Sequence, residues 1–211
     1  MPKADFFKNF GIYAEPNFLD GETCARLVAG LEGGGRAPAQ VYKDHYAREV
    51  DERARRTVRV AAPAAVTSEL RARLSGLRAA LEESFGLALG DCEEPEFLAY
   101  GPGDFFRPHQ DAAPHGQVHE YLKRRSVSAV LFLNGQREEP APGSFCGGSL
   151  VFYGLVKDAR AAGLGFPLEA EPGLLVAFPS DTLHEVTPVT HGDRYTVVTW
   201  FAGETFSRHP R

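Results

Sequence analysis

From residue 95 onward, short strand-like apolar runs alternate with Gly and Pro turns, and this pattern constrains the fold more than any other feature. The runs are PEFLAY, RSVSAVLFLN, GGSLVFYG, GLLVAF, HEVTPV and RYTVVTWFAG. Helical periodicity is absent from this part of the chain. Several short strands at regular spacing are typical of a sandwich or a closed barrel. We therefore predict a mainly β core over residues 95–211.

Residues 1–94 have a different pattern, which predicts supporting helices. FLDGETCARLVAGLEGGG places Asp20 as an N-cap, followed by apolar residues at helical spacing until the run Gly33–Gly35. PAAVTSELRARLSGLRAALEESFG predicts a second amphipathic helix that ends at Gly86. Between the two helices, the charge-rich residues 36–56 predict a mobile hairpin or loop, and RTVRVA then predicts a strand. We expect this region to pack on the β core as part of one structural unit.

Charge, cysteine content and hydropathy exclude several classes of protein. The 211-residue chain has a formal net charge of −5, which gives no electrostatic basis for binding nucleic acid. Its longest apolar runs, such as GLLVAFP, are too short to cross a bilayer, and MPKADFFKNFG lacks the features of a secretory signal. The three cysteines, Cys24, Cys92 and Cys146, are widely spaced and predict free thiols. We expect a cytoplasmic protein with no membrane or nucleic-acid partner.

The stretch RPHQDAAPH places His109 and Asp111 two positions apart, directly after the glycine-broken run YGPGDFF. Alternate residues of an extended segment point to the same side. A metal ion, a proton relay or an ordinary salt bridge each explains such a pair. His184 lies between a buried-looking strand and the strand EVTPV, where it can point into the mouth of a barrel. Two histidines and one carboxylate on one face are typical of non-haem iron oxygenases, since this triad leaves positions open on iron(II).

Arg194 follows ten residues after His184 and opens the strongly β-prone run RYTVVTWF. A guanidinium at the end of a buried strand requires an anionic partner. Its planar fork matches a carboxylate through two parallel hydrogen bonds. The sequence therefore predicts a metal site beside a carboxylate-binding arginine, both inside a β-barrel.

Five segments together resemble the catalytic domain of the 2-oxoglutarate- and iron(II)-dependent dioxygenases, in the prolyl 4-hydroxylase-like branch. They are YGPGDFFRPHQD, RRSVSAVLFLN, GGSLVFYG, EPGLLVAFPSDTLHEVTPV and GDRYTVVTWF. The resemblance covers about residues 95–203, and PNFLDGETCARLV also resembles the supporting helix of that branch. It implies a double-stranded β-helix, or jelly roll, in which His109, Asp111 and His184 bind iron(II). The implied cosubstrates are 2-oxoglutarate and oxygen, with ascorbate as a candidate reductant.

The same resemblance implies how the cosubstrate is held. Arg194 would bind the distal carboxylate of 2-oxoglutarate, Tyr100 would hydrogen-bond to the cosubstrate through its phenol, and Thr196 would assist at the distal carboxylate. Trp200 lies on the same strand face and would form part of the pocket wall. Phe132 departs from the family pattern, because some relatives have a tyrosine hydroxyl at this position.

The resulting hypothesis is a dioxygenase that hydroxylates a prolyl residue in a peptide or protein, with release of succinate and CO2. Two alternatives stay open: the same chemistry on a free amino acid or small metabolite, and a non-catalytic jelly-roll module that binds a ligand. Nucleic-acid demethylation is disfavoured because Trp200 stands where that branch has a second arginine. Halogenation is disfavoured because Asp111 occupies the carboxylate position.

Substrate choice is expected to depend on a lid within residues 36–56 and on the loop 112–124. The lid residues that we single out are Tyr42, Tyr46 and Arg48. His115 and His119 are candidates for substrate contact, and we expect His45, His191 and His209 at the surface. The oligomeric state stays open.

Overall fold

The computed structural model describes residues 4–43, 47–112, 122, 124–161 and 163–203. Its helices are α1 Ala4–Lys8, α2 Gly21–Glu32, α3 Ala64–Ser75 and α4 Arg78–Phe85, with a 3-10 turn at Ala159–Ala161. The strands of the N-terminal half are β1 Tyr13–Glu15, β2 Arg36–Pro38, β3 Val41–Lys43, β4 Ala47–Glu49, β5 Arg55–Arg56, β6 Val58–Val60, β7 Leu89–Cys92, β8 Glu96–Tyr100 and β9 Phe105–His109. Those that follow are β10 Arg125–Phe132, β11 Cys146–Gly147, β12 Leu150–Phe152, β13 Phe166–Leu168, β14 Leu175–Pro179, β15 His184–Val186, β16 Val189–His191 and β17 Arg194–Gly203.

Two antiparallel sheets form the centre of the fold. The larger sheet has the strand order β1-β14-β10-β17-β8-β6-β2, and β7 pairs with β17 outside this path. The smaller sheet has the order β13-β12-β15-β9-β5. The pairs β3–β4 and β11–β16 form separate two-stranded ribbons. This arrangement confirms the predicted mainly β fold, a double-stranded β-helix with supporting helices.

Strand β10 shows how the sequence divides the core into two layers. Its residues Val127, Ala129 and Leu131 are buried in a cluster that includes the apolar faces of α2, α3 and α4. The alternate residues Val130 and Phe132 belong to a second cluster, shared with apolar residues of the smaller sheet. Because side chains alternate across a strand, one apolar run can serve both layers. Helices α2, α3 and α4 therefore cover the outer face of the larger sheet, and the smaller sheet covers its inner face.

Helix α2 begins and ends where the sequence predicts. The side chain of Asp20 accepts a hydrogen bond of 2.7 Å from the backbone N–H of Thr23, as an N-cap does. The helix ends at Gly33. Its apolar face buries Cys24 and Leu31 against the larger sheet.

The single helix predicted over the second amphipathic segment is wrong, because the structure has two helices there. Helix α3 ends at Gly76, whose N–H contacts the carbonyls of the preceding turn, and α4 begins after Leu77. The apolar stripe continues across the break, since Leu74, Leu77 and Leu81 are all buried. The predicted end at Gly86 is confirmed; this residue has a φ of 65°, in the left-handed region that glycine adopts readily.

Strands that precede residue 95 are built into both sheets. β1, β2 and β6 pair within the larger sheet, and β5 pairs with β9 in the smaller one. The predicted hairpin within residues 36–56 is present as β3–β4. Across the described ranges, no helix has the length and apolar character of a membrane span.

Candidate metal centre

A cavity of about 580 Å³ lies between the two sheets. Its lining includes residues from strands of both, among them His109 and His184 from the smaller sheet and Arg194 and Thr196 from the larger one. Asp111 also lines it. The cavity therefore contains all of the predicted metal and cosubstrate residues, namely Tyr100, His109, Asp111, His184, Arg194 and Thr196.

Strand pairing brings the two histidines together. His109 ends β9, His184 begins β15, and the two residues are direct partners in the antiparallel register. Their ring centroids are 4.2 Å apart. Asp111 follows β9, and its backbone N–H donates a 2.9 Å hydrogen bond to the carbonyl of Ser180. This bond holds the segment after β9 against the loop that follows β14.

The three side chains present their ligand atoms to one point. Nε2 of His109 is 3.6 Å from Oδ1 of Asp111, and Nε2 of His184 is 3.7 Å from Oδ2. One ligand atom from each residue lies within 4.8 Å of the other two. Nδ1 of His109 is 2.8 Å from the carbonyl of Arg107, and Nδ1 of His184 is 2.9 Å from that of Thr182. Because a carbonyl only accepts, each Nδ1 carries the proton and each Nε2 keeps a lone pair for a metal.

Asp111 and His184 are held in the protonation states that a metal ion requires. Burial alone would raise the pKa of Asp111, but its interactions with His184, His109 and the Ser128 hydroxyl outweigh burial, so that the pKa is well below its usual range. Burial lowers the pKa of His184 to about 4, so its imidazole is neutral at pH 7. Two imidazole nitrogens with free lone pairs and one carboxylate fit iron(II), which binds nitrogen and oxygen ligands of this kind.

Ser128 and Ser180 support this centre, and sequence reasoning missed both. The Ser128 hydroxyl is buried and donates to the carboxylate of Asp111, and its Oγ lies 2.9 Å from Oγ of Ser180. The backbone carbonyl of Ser180 accepts hydrogen bonds from the backbone N–H groups of Asp111 and Ala112. The alternation of β10 places Ser128 on the same face as Val130 and Phe132, but only the pairing of β10 with β14 shows what it contacts.

Arg194 is a buried cation without a carboxylate partner among the described residues. It is 2% exposed, and its guanidinium lies 5.0, 5.1 and 5.9 Å from the ring centroids of Tyr100, Phe132 and Phe145. Nη1 donates to the hydroxyl of Thr196 at 3.3 Å, whereas the buried Nε has no hydrogen-bond partner in the described chain. Burial lowers the pKa of Arg194 to about 10, which leaves it charged at pH 7. Such a group fits an anionic ligand, as a dicarboxylic cosubstrate would be.

The remaining residues predicted at the cosubstrate site surround this guanidinium. Tyr100 is buried on β8 directly opposite Arg194 and presents its ring face to the cation. Thr196 accepts from Arg194, so its hydroxyl orients the fork. The ring of Phe132 also lies beside this guanidinium. Where some relatives have a tyrosine hydroxyl, this chain therefore has a cation–π contact.

Trp200 lines the cavity together with Arg194, Thr196 and Val198, as the alternation of β17 predicts. The guanidinium of Arg125 lies 3.5 Å from the centroid of the Trp200 ring. Nε and Nη2 of Arg125 donate to the carboxylate of Glu93 at 2.9 and 2.8 Å. This bidentate pair fixes the wall of the cavity opposite the smaller sheet.

Several residues named from the sequence are not placed. His45, Tyr46, His115, His119 and His209 lie outside the described residues, and so do the side chains of Tyr42 and Arg48. His191 is exposed on β16, as expected.

Curated relatives match the C-terminal half of the chain. A PKHD-type hydroxylase of Klebsiella pneumoniae (strain 342) is 35% identical over 106 residues, which is 50% of this chain and 41% of the relative. A PKHD-type hydroxylase of Sphingopyxis alaskensis is 34% identical over 110 residues, 50% of this chain and 42% of the relative. The chain thus spans about two fifths of the length of these relatives.

Solved structures match almost the whole chain. A Pseudomonas putida prolyl-4-hydroxylase has a TM-score of 0.69 and 26% identity, covering 95% of this chain and 97% of its own. A Trichoplax adhaerens prolyl hydroxylase, solved with a peptide of hypoxia-inducible factor, has a TM-score of 0.66 and 16% identity over 94% of this chain and 86% of its own. The second likeness supports the fold alone.

A family model for the 2OG-Fe(II) oxygenase superfamily matches residues 95–202, which include all of the β-helix strands that carry the metal and cosubstrate candidates. Since the match covers just over half of the sequence, this chain belongs to the 2OG-Fe(II) oxygenase superfamily.

Proposed function

We propose that this protein is an iron(II)- and 2-oxoglutarate-dependent dioxygenase that hydroxylates a prolyl residue in a peptide or protein, with release of succinate and CO2. The observation that carries the proposal is the convergence in one cavity of His109, Asp111 and His184 beside the buried guanidinium of Arg194. The proposed prolyl substrate is supported by the PKHD-type and prolyl-4-hydroxylase relatives. A peptide as the substrate is supported by the complex of the Trichoplax enzyme.

His109, Asp111 and His184 would hold the iron(II). Bound there with 2-oxoglutarate and oxygen, the iron supplies the oxidising power for hydroxylation of a C–H bond. The protein contributes the orientation of its ligands, since backbone carbonyls fix both imidazoles and Ser128 fixes the carboxylate.

Arg194 would bind the distal carboxylate of 2-oxoglutarate with two donors of its fork. Thr196 holds the fork by accepting from Nη1, and the rings of Tyr100, Phe132 and Phe145 enclose it. These rings exclude water from the ion pair, which strengthens its electrostatic attraction. A hydrogen bond from the Tyr100 phenol to the cosubstrate is part of the proposal.

Two finer features belong to the same proposal. Ascorbate would serve as the reductant that keeps the iron in the ferrous state. A cytoplasmic location is supported by the three cysteines, which are free and buried in the structure.

The test starts with protein loaded anaerobically with iron(II) and 2-oxoglutarate, which should develop a visible metal-to-ligand charge-transfer band. On admission of air, proline-containing peptides should gain one oxygen atom by mass, with an equal amount of succinate. Asp111→Ala should abolish the band and the turnover, because the remaining two ligands bind the metal weakly. Arg194→Ala should instead raise the KM for 2-oxoglutarate by at least about tenfold, because it removes a charge-assisted hydrogen-bond pair.

His191→Ala is the matched control, because it removes an exposed imidazole outside the cavity. It should leave the band and the turnover as in the wild type. No band and no succinate from the wild type would favour a non-catalytic binding module. Turnover with free proline but with no peptide would identify a free amino acid or small metabolite as the substrate.

A further inference from the structure

Four arginines line the cavity within the described residues: Arg55, Arg59, Arg125 and Arg194. Arg59 pairs with Glu96 at 3.2 Å, and Arg125 forms a bidentate pair with a carboxylate. Arg194 is assigned above to the cosubstrate. Arg55 is therefore the cavity arginine, among the described residues, to which the proposed reaction gives no role.

Arg55 has almost no polar partner. Its Nη1 lies 3.4 Å from the carbonyl of Gln40, at the long limit for a hydrogen bond. Its Nε is buried and has no acceptor, and no carboxylate in the described part of the chain lies within salt-bridge distance. The guanidinium rests on the ring of Phe106, 4.6 Å from the centroid, which fixes its position without satisfying its N–H groups.

The position of Arg55 relates it directly to the metal centre. Phe106, its cross-strand neighbour on β9, stacks on the imidazole of His109 with ring centroids 3.4 Å apart. The guanidinium thus lies two stacked layers from a proposed ligand. Distances of 4.6 and 3.4 Å across the two layers together reach roughly the length of two residues of extended chain, so a substrate presented at the metal would bring a group about two residues away to Arg55.

We propose that Arg55 is a specificity-determining residue that binds a carboxylate of the prime substrate. This inference rests on the proposed function and names the substrate class more narrowly. The planar fork with a free Nε matches a carboxylate, which would satisfy the buried donor. A phosphate dianion fits less well, because the other described arginines of the cavity already have partners or an assigned ligand. The carboxylates of Asp51 and Glu96 also line the cavity and would repel a second negative charge.

A carboxylate could come from an acidic side chain beside the hydroxylated residue of a peptide, or from the α-carboxylate of a free amino acid. The first pair of probes is two synthetic peptides that differ only in Glu or Gln two residues from a central proline. The second pair is L-proline and L-prolinamide. Binding is followed by the fluorescence of Trp200, the single tryptophan of the chain, which lines the same cavity. The protein is loaded anaerobically with iron(II) and 2-oxoglutarate.

The wild type should bind the carboxylate member of one pair about tenfold to a hundredfold more tightly than the amide member. Arg55→Met, which keeps the apolar stem over Phe106, should lose this preference. Arg55→Glu should reverse it, so that a third peptide with Lys in place of Glu binds best. Arg53→Met is the matched control: Arg53 is exposed, lies two residues away and does not line the cavity, so the preference should persist.

A preference in the peptide pair assigns the side-chain carboxylate, and a preference in the proline pair assigns the α-carboxylate. The inference is overturned if the wild type does not discriminate, or if Arg55→Met discriminates as the wild type does. Succinate release on admission of air is measured in the same samples and tests the proposed function separately. Succinate release without a preference for the carboxylate ligand would exclude the role of Arg55 and leave the proposed dioxygenase function in place. A carboxylate preference without succinate release would support the role of Arg55 and contradict the proposed function.

Discussion

Phe106 lies flat against the imidazole of His109, with ring centroids 3.4 Å apart and ring planes inclined by 18°. This stacking and the bond from Nδ1 to the carbonyl of Arg107 leave the imidazole one orientation. Phe106→Leu should therefore weaken iron(II) binding by about tenfold, as loss of a supporting contact around a metal ligand does. Anaerobic titration calorimetry with iron(II) measures the effect.

The neighbouring Phe105 provides a matched control, because it is also half-buried and also carries arginines over its ring. Phe105→Leu removes the same chemical group without touching His109. Equal iron(II) affinities for the two variants would show that the stacking does not orient the ligand.

Gly148 packs against the stem of Arg194, and its replacement should disturb the cosubstrate site. A Cβ added there would lie 2.9 Å from Cγ2 of Val189 and 3.1 Å from Cδ of Arg194, and the residue has a φ of 58°. Gly148→Ala should raise the dissociation constant for 2-oxoglutarate by about tenfold, because the guanidinium must move. Gly154 shares the left-handed backbone, with a φ of 69°, but no described heavy atom lies within 4 Å of its Cβ position. Gly154→Ala should cost only about 1 kcal/mol of stability and leave 2-oxoglutarate binding intact.

Ser128 should matter for the metal although it cannot bind it. Ser128→Ala removes the hydrogen bond to the Asp111 carboxylate and the bond to Ser180. We expect iron(II) affinity to fall by about tenfold to a hundredfold, while the urea midpoint changes little. Ser126→Ala, two residues earlier on the same strand, should retain wild-type affinity. If both variants bind iron(II) equally well, the hydroxyl does not position the carboxylate.

Asn134 ties the end of β10 to the start of β17. Its amide donates to the carbonyls of Asp193 and Gly143 at 2.8 and 3.3 Å, and its oxygen accepts the backbone N–H of Tyr195 at 2.9 Å. Asn134→Ala leaves these backbone groups without partners, so the free energy of unfolding should fall by about 2–4 kcal/mol. Urea denaturation measures it. The exposed Asn9, which bonds only to the carbonyl of Phe6 in its own helix turn, is the control, and Asn9→Ala should change stability by less than about 0.5 kcal/mol.

The thiols should be inert in the native protein. All three are buried, and burial, with a smaller effect of Asp20, raises the pKa of Cys24 to about 11. At pH 8 about one part in a thousand of this thiol is ionised, and only the thiolate reacts. Ellman's reagent should therefore label no cysteine until guanidinium chloride unfolds the chain, when three should react. Rapid labelling of a native thiol would contradict the packing described for these residues.

The sequence was most informative where chemistry depends on local spacing. The interval between His109 and Asp111 implied a shared direction, and the alternation of β17 implied that Arg194, Thr196 and Trp200 face one cavity. These inferences need only the geometry of a single strand. The position of His184 needed the family resemblance as well, because strand pairing over 75 positions cannot be derived from one segment.

Residues that act through tertiary contacts were not predictable. Ser128, Asn134 and Arg55 are ordinary residues in their own segments, and each contacts a partner from a distant segment of the chain. The break at Gly76 was missed for a related reason. The apolar stripe continues on both sides of it, so periodicity alone cannot distinguish one helix from two.

The pairing of β1 with β14 has a consequence for how the chain is made. Tyr13 lies opposite Ala177, so β1 gains its neighbour in the sheet only after the segment 164 positions further along the chain has been synthesised. Long-range pairing of this kind slows folding, and a waiting strand edge favours association with other chains. We expect losses during synthesis, rather than unfolding of the finished molecule, to limit the yield of this protein.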